Sequence, residues 1–209
     1  GIMITPEDLH IKTLGEPTFD SPFAKFLDER TKARGNHLFK HMLFDDAWPQ
    51  SHQDPGSHPV FELAGAEPKI FFDPAKTTVG VVTCGGLCPG LNDVIRGLTM
   101  VLWHRYGVRD ILGFRYGYEG LNPALGHEPI RLDPERVARI HEQGGSMLGS
   151  SRGHQDIDIM LDTLASLNVD ILFCVGGDGT LRGALKLSEA ARKRGTALSI
   201  VGVPKTIDN

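Results

Sequence analysis

The chain has 209 residues, 40% of them hydrophobic and 23% charged, with a net charge of −4 at pH 7. A chain of that length can bury the core of one ordinary domain. The basic residues are scattered along the chain and do not form the basic patch of a nucleic-acid-binding protein. No apolar run approaches the length that crosses a bilayer and the amino terminus lacks a secretory pattern, so we expect a soluble protein without a membrane partner.

The organisation of the chain changes near Lys76. Residues 1–75 are rich in Pro, His, Phe and acidic side chains, with helical signals only between Phe23 and Arg34. This composition predicts a mostly irregular N-terminal extension that precedes a domain over residues 76–209.

Strands and helices alternate after Lys76. We predict strands over 77–83, 110–114, 169–175 and 198–203. We predict helices over 91–106, 134–143, 157–167 and 181–193. Helices between strands imply parallel pairing with right-handed crossovers, so the predicted fold class is α/β, a doubly wound parallel sheet with helices on both faces.

The three cysteines, Cys84, Cys88 and Cys174, cannot all pair. Two of them flank glycines beside predicted strands, which indicates reduced thiols in the cytoplasm. Cys84 and Cys88 alone make a poor zinc site because no second pair follows at a suitable spacing.

Ligands of doubly wound sheets gather beyond the carboxyl ends of the strands. The first candidate segment there, Thr83 to Asn92, is glycine-rich but has neither the dinucleotide fingerprint nor a P-loop. It is equally compatible with an anion-binding loop and with a tight turn that needs glycine for packing.

The segment GGDGT, Gly176 to Thr180, is more informative. Asp178 stands among glycines at the end of an apolar strand, which suits a magnesium-phosphate complex, while Thr180 suits an N-cap or a phosphate contact. The competing interpretation is an aspartate that caps a turn.

Two further segments supply cations and a base. In VGVPKTIDN, Lys205 could neutralise charge on a transferred phosphoryl group and Asp208 could accept a proton from an alcohol, although a solvated Pro-turn is the alternative. In GGSMLGSSRG, the guanidinium of Arg152 could bind a phosphate group through two parallel hydrogen bonds, although a solvated surface arginine is the alternative. Together these loops supply what phosphoryl transfer requires.

From Thr77 to Asn209 the sequence resembles the nucleotide-binding half of 6-phosphofructokinases. TCGGLCPGLN is similar to that family's glycine loop, FRYGYEGL to its second-strand segment, GGSMLGSSRG to its arginine loop, GGDGT to its magnesium-phosphate motif and PKTIDN to its catalytic loop. The resemblance implies that the chain is the N-terminal part of a longer, cytoplasmic, homotetrameric allosteric enzyme of glycolysis.

The resemblance also implies residue roles. Asp208 would be the base that deprotonates the 1-hydroxyl of fructose 6-phosphate, Thr206 would help to place the sugar phosphate, and Arg152 would stabilise the moving phosphoryl group. Asp178 would hold Mg²⁺, and the ATP contacts would be Gly86, Tyr118, Arg152, Gly177, Asp178, Gly179, Thr180 and Gly183.

The phosphoryl donor is the main alternative. Lys205 is a feature of pyrophosphate-using members of the family, whereas Gly179 leaves the room that ATP needs, so we expect ATP and a plant- or trypanosomatid-like type of enzyme. A pyrophosphate-dependent enzyme and a non-catalytic regulatory subunit remain alternatives. NAD and lipid kinases share a GGDGT-like turn but lack PKTIDN and LGSSRG.

The remaining conspicuous side chains are expected to be structural. We assign no catalytic role to His104, His127, His141 and His154, which we expect away from the strand ends. Trp103 and Tyr106 are expected to pack against the core.

Overall fold

The structure, a computed structural model, describes residues 10–26 and 65–206. The chain divides into two compact units, Gly1–Ile70 and Phe71–Asn209. In the first unit, β1 (Phe19–Asp20) pairs antiparallel with β2 (Lys69–Ile70), and a 3-10 turn, Ala24–Phe26, follows β1. Of the helical signal over 23–34, residues 27–34 lie outside the described residues.

The second unit alternates strands and helices in chain order. The strands are β3 (Thr78–Thr83), β4 (Asp110–Phe114), β5 (Ile130–Arg131), β6 (Val169–Gly176) and β7 (Ser199–Pro204). The helices are α1 (Leu91–Val101), α2 (Pro134–Val137), α3 (Ile157–Ser166) and α4 (Asp178–Lys193). Shorter turns of helix are Leu102–Tyr106 (π) and Gly117–Leu121, Pro123–Leu125 and Ile140–Glu142 (3-10).

The five-stranded sheet has the order β5-β4-β3-β6-β7. The β4, β3, β6 and β7 strands run parallel, so the predicted doubly wound α/β class is confirmed. The chain leaves β3 toward β4 on one side and later returns to β6 on the other, which makes the carboxyl ends of β3 and β6 the switch point where such sheets bind ligands.

Side-chain alternation along the strands builds a core on each face of the sheet. Val79 and Val81 of β3 pack with Ile95 of α1, whereas Val82 packs on the opposite face with residues of α3 and α4 such as Leu164 and Leu187. Helices therefore cover both faces, as predicted.

The structure differs from the prediction in three places. The sheet has an antiparallel edge strand, β5, which the pattern of a parallel sheet did not predict. The helix expected over 134–143 is a four-residue helix and a 3-10 turn, because the chain leaves the helix at Arg139 and brings the Gln143 carbonyl to the Asn92 amide, 3.0 Å away. The helix expected from Leu181 begins at Asp178.

The other predicted elements agree with the structure to within a residue or two, and the helix over 91–106 is α-helical to Val101 and π-helical after it. Trp103 and Tyr106 pack against the core as predicted. Within the described residues, the structure has no helix that is both long and apolar enough to span a bilayer.

Candidate functional site

A cleft of about 1020 Å³ lies at the carboxyl ends of β3, β6 and β7. Its walls come from three loops and the first turns of α4. We call residues 84–90 the glycine loop and residues 144–153 the arginine loop. All of the predicted site residues that the structure describes line this cleft: Gly86, Tyr118, Arg152, Gly177, Asp178, Gly179, Thr180, Gly183, Lys205 and Thr206. Asp208 lies outside the described residues.

The arginine loop is fixed by hydrogen bonds along its length. The hydroxyl of Thr83, at the end of β3, donates to the Gly149 carbonyl at 2.7 Å. Because the Thr83 hydrogen is used in that bond, the Thr83 oxygen accepts a second hydrogen bond from the Ser146 hydroxyl, also at 2.7 Å. The Ser151 hydroxyl donates to the Tyr116 carbonyl at 2.6 Å. The backbone is therefore held while the guanidinium of Arg152 remains exposed at the cleft.

The glycine loop joins the arginine loop on one side and β7 on the other. The Gly85 N–H donates to the Ser151 carbonyl at 3.0 Å, and Gly85 has a φ of +81°, a conformation in which glycine avoids the strain of a side chain. The half-buried Lys205 ammonium donates to the Gly86 carbonyl. Lysine has three donors, so this contact leaves others to face an anion.

The first turn of α4 forms the opposite wall. Its N-cap is Gly177, and the first intrahelical hydrogen bond runs from the Leu181 N–H to the Gly177 carbonyl at 3.0 Å. The amides of the first three helical residues precede that bond, so they belong to the positive end of the helix, where anions are favoured. Asp178 stands on this turn with its side chain 89% exposed.

Two glycines of this wall have opposite surroundings. A Cβ on Gly176 would meet the Thr180 hydroxyl at 2.2 Å, whereas a Cβ on Gly179 would meet nothing within 4 Å. Gly176 is therefore required by packing, and Gly179 faces open space. Of the two roles predicted for Thr180, the N-cap is wrong, because the helix starts earlier and Thr180 is its third residue, buried beside Gly176. A phosphate contact stays a prediction.

Buried thiols lie behind this wall. Burial raises the pKa of Cys84 to about 11 and that of Cys174 to about 12, outweighing hydrogen bonds that lower each pKa. Burial and the neighbouring Cys174 also raise the pKa of Tyr118. All three cysteines are free thiols, and at neutral pH the two buried ones are uncharged.

The cleft is cationic in a chain whose net charge is −4. Of the residues that the structure describes, four cationic side chains line it, Arg152, Arg182, Lys186 and Lys205, against one carboxylate, Asp178. Arg182 and Lys186 were not predicted from the sequence. Arg182 and Lys186 follow Gly179 by three and seven residues, which places all three on one face of the helix. This spacing was not recognised because the predicted helix began at Leu181, after Gly179.

Part of the cleft lining is apolar. Ile157 and the buried Met160 line it beside Gln155 and His154. The expectation that His154 lies away from the strand ends is wrong, because the arginine loop places it on the cleft; His104, His127 and His141 are not among the lining residues. A flat apolar group and a polyphosphate could both be accommodated in a space of this kind.

The residues present fit a Mg²⁺ ion that is shared with phosphates. Among the residues described, no group of three or more His, Cys, Asp or Glu side chains could hold a metal alone. Mg²⁺ commonly takes only one or two carboxylates and completes its shell with water and substrate phosphates. An exposed aspartate at the positive end of a helix meets that requirement. Its carboxylate can bind the metal ion, and the positive end of the helix can bind the phosphate.

Comparison with known proteins is consistent along the whole chain. The family model described as phosphofructokinase matches residues 78–209. An ATP-dependent 6-phosphofructokinase of Amycolatopsis methanolica is 49% identical over 97% of this chain and 45% of the relative. A protein of the same name from Trypanosoma brucei brucei is 46% identical over 99% of this chain and 42% of the relative. The chain thus spans less than half the length of these curated relatives.

Solved structures have the same fold. A pyrophosphate-dependent phosphofructokinase of Marinobacter aquaeolei matches with a TM-score of 0.58 at 21% identity, over 64% of this chain and 34% of the other. The phosphofructokinase of Saccharomyces cerevisiae matches with a TM-score of 0.54 at 26% identity, over 64% of this chain and 20% of the other. The first of these likenesses concerns the fold alone.

Proposed function

The chain belongs to the phosphofructokinase family, and we propose that the full-length protein transfers the γ-phosphoryl group of ATP to the 1-hydroxyl of fructose 6-phosphate. The observation that carries this proposal is the meeting of the arginine loop, the glycine loop and α4 around one cationic cleft. Relatives named ATP-dependent 6-phosphofructokinase support ATP as the donor.

In this proposal the chain's own groups hold the donor. The amides of the first turn of α4 and the ammonium of Lys205 bind phosphate oxygens, and the guanidinium of Arg152 neutralises charge on the transferred group. Arg182 and Lys186 extend the same cationic face. The adenine ring lies against the apolar part of the lining, Ile157 and Met160.

The Asp178 carboxylate would hold Mg²⁺, which supplies positive charge to the phosphate oxygens when bound. The sugar oxygen attacks the γ-phosphorus as its proton passes to the carboxylate of Asp208. The bond between that phosphorus and the bridging oxygen breaks, and ADP leaves with the electron pair. Thr206 places the sugar phosphate. These roles, with a cytoplasmic homotetramer, are proposed by family resemblance.

A donor comparison on the full-length protein tests the proposal. We expect fructose 6-phosphate to be phosphorylated with MgATP and not with magnesium pyrophosphate, because Gly179 leaves open space beside the metal carboxylate. Gly179→Asp should remove ATP use by placing a second carboxylate in that space. Pyrophosphate use by the wild type, or unchanged ATP use by the variant, would contradict the proposed donor.

A matched control separates the steric effect from general damage. Gly195 ends α4 at the far side from the cleft, has a φ of +68°, and its Cβ would also meet nothing within 4 Å. Gly195→Asn introduces a side chain into open space, and asparagine tolerates a positive φ better than most residues. It should leave ATP use at the wild-type rate.

A further inference from the structure

Tyr118 lies where the ends of three strands meet. It follows β4 in the 3-10 turn Gly117–Leu121 and packs beneath the first turn of α4, with 7% of its surface exposed. Its hydroxyl donates to the Thr180 carbonyl at 2.7 Å. Because that hydrogen is engaged within the protein, this hydroxyl is in place to hold α4 and not to donate to a ligand.

Two glycines allow the close approach of this side chain. A Cβ on Gly183 would lie 2.8 Å from Cε2 of the Tyr118 ring, so the ring rests directly on the α4 backbone. A Cβ on Gly117 would lie 2.8 Å from the Cys84 sulfur and 3.1 Å from the Thr83 carbonyl oxygen. The turn that carries Tyr118 therefore lies close against the end of β3, and the Tyr118 ring lies against α4.

The hydrogen bond falls at the point of α4 that faces the cleft. Thr180 is the third residue of the helix, directly after Asp178 and Gly179. A helix end frays most easily in its first turn, where amides lack intrahelical partners. A buried tyrosine bonded to that turn restricts the positions of these amides and of the Asp178 carboxylate.

We propose that Tyr118 is a positioning residue that fixes the first turn of α4 for the phosphoryl donor, a magnesium-bound polyphosphate. The inference rests on the proposed function, and it concerns donor binding alone: the sugar phosphate is not held by this turn. Tyr118 thus acts through the backbone of Thr180 and Gly183, with its ring and hydroxyl as two separate contacts.

Tyr118→Phe in the full-length protein tests the role, since it removes the hydroxyl and keeps the ring. The loss of one internal hydrogen bond should raise the KM for MgATP about five-fold. The KM for fructose 6-phosphate should stay unchanged. A merely structural role would lower the amount of folded enzyme and leave both KM values alone. Tyr106→Phe, in the π turn remote from the cleft, is the matched control and should keep both KM values.

Hydrogen exchange supplies a readout that does not depend on activity. In Tyr118→Phe without ligand, peptides covering residues 178–184 should exchange faster than in the wild type, while peptides covering β4 exchange at the wild-type rate. Gly183→Ala, which displaces the ring, should have the same local effect. Unchanged exchange over 178–184 in both variants would overturn the inference, as would faster exchange with an unaltered KM for MgATP.

The proposed function can fail separately. If the wild type phosphorylates fructose 6-phosphate with neither ATP nor pyrophosphate, the enzymatic assignment is wrong. The equilibrium affinity for MgATP then decides the inference: a weaker affinity in Tyr118→Phe with faster local exchange supports it, and equal affinities overturn it.

Discussion

The two walls of the cleft hold their functional groups in different ways. The arginine loop has little regular structure, and side-chain and backbone hydrogen bonds such as those of Thr83 and Ser151 fix its path. The first turn of α4 belongs to a 16-residue helix and is fixed by close packing, with Gly176 against Thr180 and Gly183 against Tyr118.

The difference separates what supports each wall from what acts at the site. The supporting contacts of Thr83 in one wall and of Thr180 in the other are part-buried or buried, and the group proposed to act, Arg152 or Asp178, is exposed at the cleft. Changes to the exposed groups should therefore alter activity without much loss of stability, whereas changes to the supporting contacts should lower stability and, at Tyr118, also weaken donor binding.

Asp178→Asn should have the largest effect, because it removes the proposed metal carboxylate from the helix wall. We expect kcat/KM for ATP in the full-length protein to fall by about 100-fold or more, with little change in stability, since the side chain is exposed. Steady-state kinetics and urea unfolding measure the two effects. The matched control is Asp93→Asn, an exposed aspartate in the first turn of α1 that does not line the cleft. Equal losses in both variants would remove Asp178 from the site.

Arg152→Lys tests the loop wall with the charge retained. Lysine cannot form the two parallel hydrogen bonds of a guanidinium, so we expect kcat to fall by about 10-fold to 100-fold. Arg131→Lys, at an ion pair with Asp110 on the sheet edge, should keep the wild-type kcat. A wild-type kcat for Arg152→Lys would show that only charge is needed at this position.

Gly176→Ala and Gly179→Ala should shift stability in opposite directions. The first places a methyl group 2.2 Å from the Thr180 hydroxyl and should lower the free energy of unfolding by about 1–3 kcal/mol. The second enters open space in a helix, and should raise it by about 0.5–1 kcal/mol. Urea unfolding of each variant measures both values. Losses in both would mean that Gly179 is also a packing residue.

The buried thiol of Cys84 predicts an alkaline loss of stability. Its pKa is raised by burial from 9.0 to about 11, so above pH 9 the unfolded chain releases a proton that the folded chain keeps. Stability should fall by about 1 kcal/mol between pH 9 and pH 10 from this group, and the loss should end near pH 11. Urea unfolding of wild type and Cys84→Ala at each pH should show a smaller decline in the variant. Parallel declines would contradict the raised pKa.

The sequence was sufficient for the fold because the periodicity was strong. The apolar strands and amphipathic helices of residues 77–203 appear at nearly the predicted positions, since burial on both faces leaves a clear pattern. Two features had no such pattern. The β5 strand has only two residues, too few for a periodic pattern. Val137 and Ile140 are both buried and have helical spacing, although the helix has already ended at Val137.

The site was predicted in part for a similar reason. The glycine, aspartate and arginine motifs are informative because those residues are costly or unusual at strand ends. Arg182 and Lys186 were missed because Gly-Asp-Gly-Thr is typical of a loop, whereas here Gly177 caps a helix that begins at Asp178. The Tyr118 hydrogen bond joins residues 62 positions apart, and no local pattern indicates such a contact.

Hydrogen exchange of the full-length protein with and without MgATP tests whether both walls of the cleft bind one ligand. We expect added MgATP to slow exchange together in the glycine loop, in the arginine loop and over residues 176–183, with a single midpoint of nucleotide concentration. Slower exchange in one wall only, or different midpoints for the two walls, would show that the walls do not bind a single ligand.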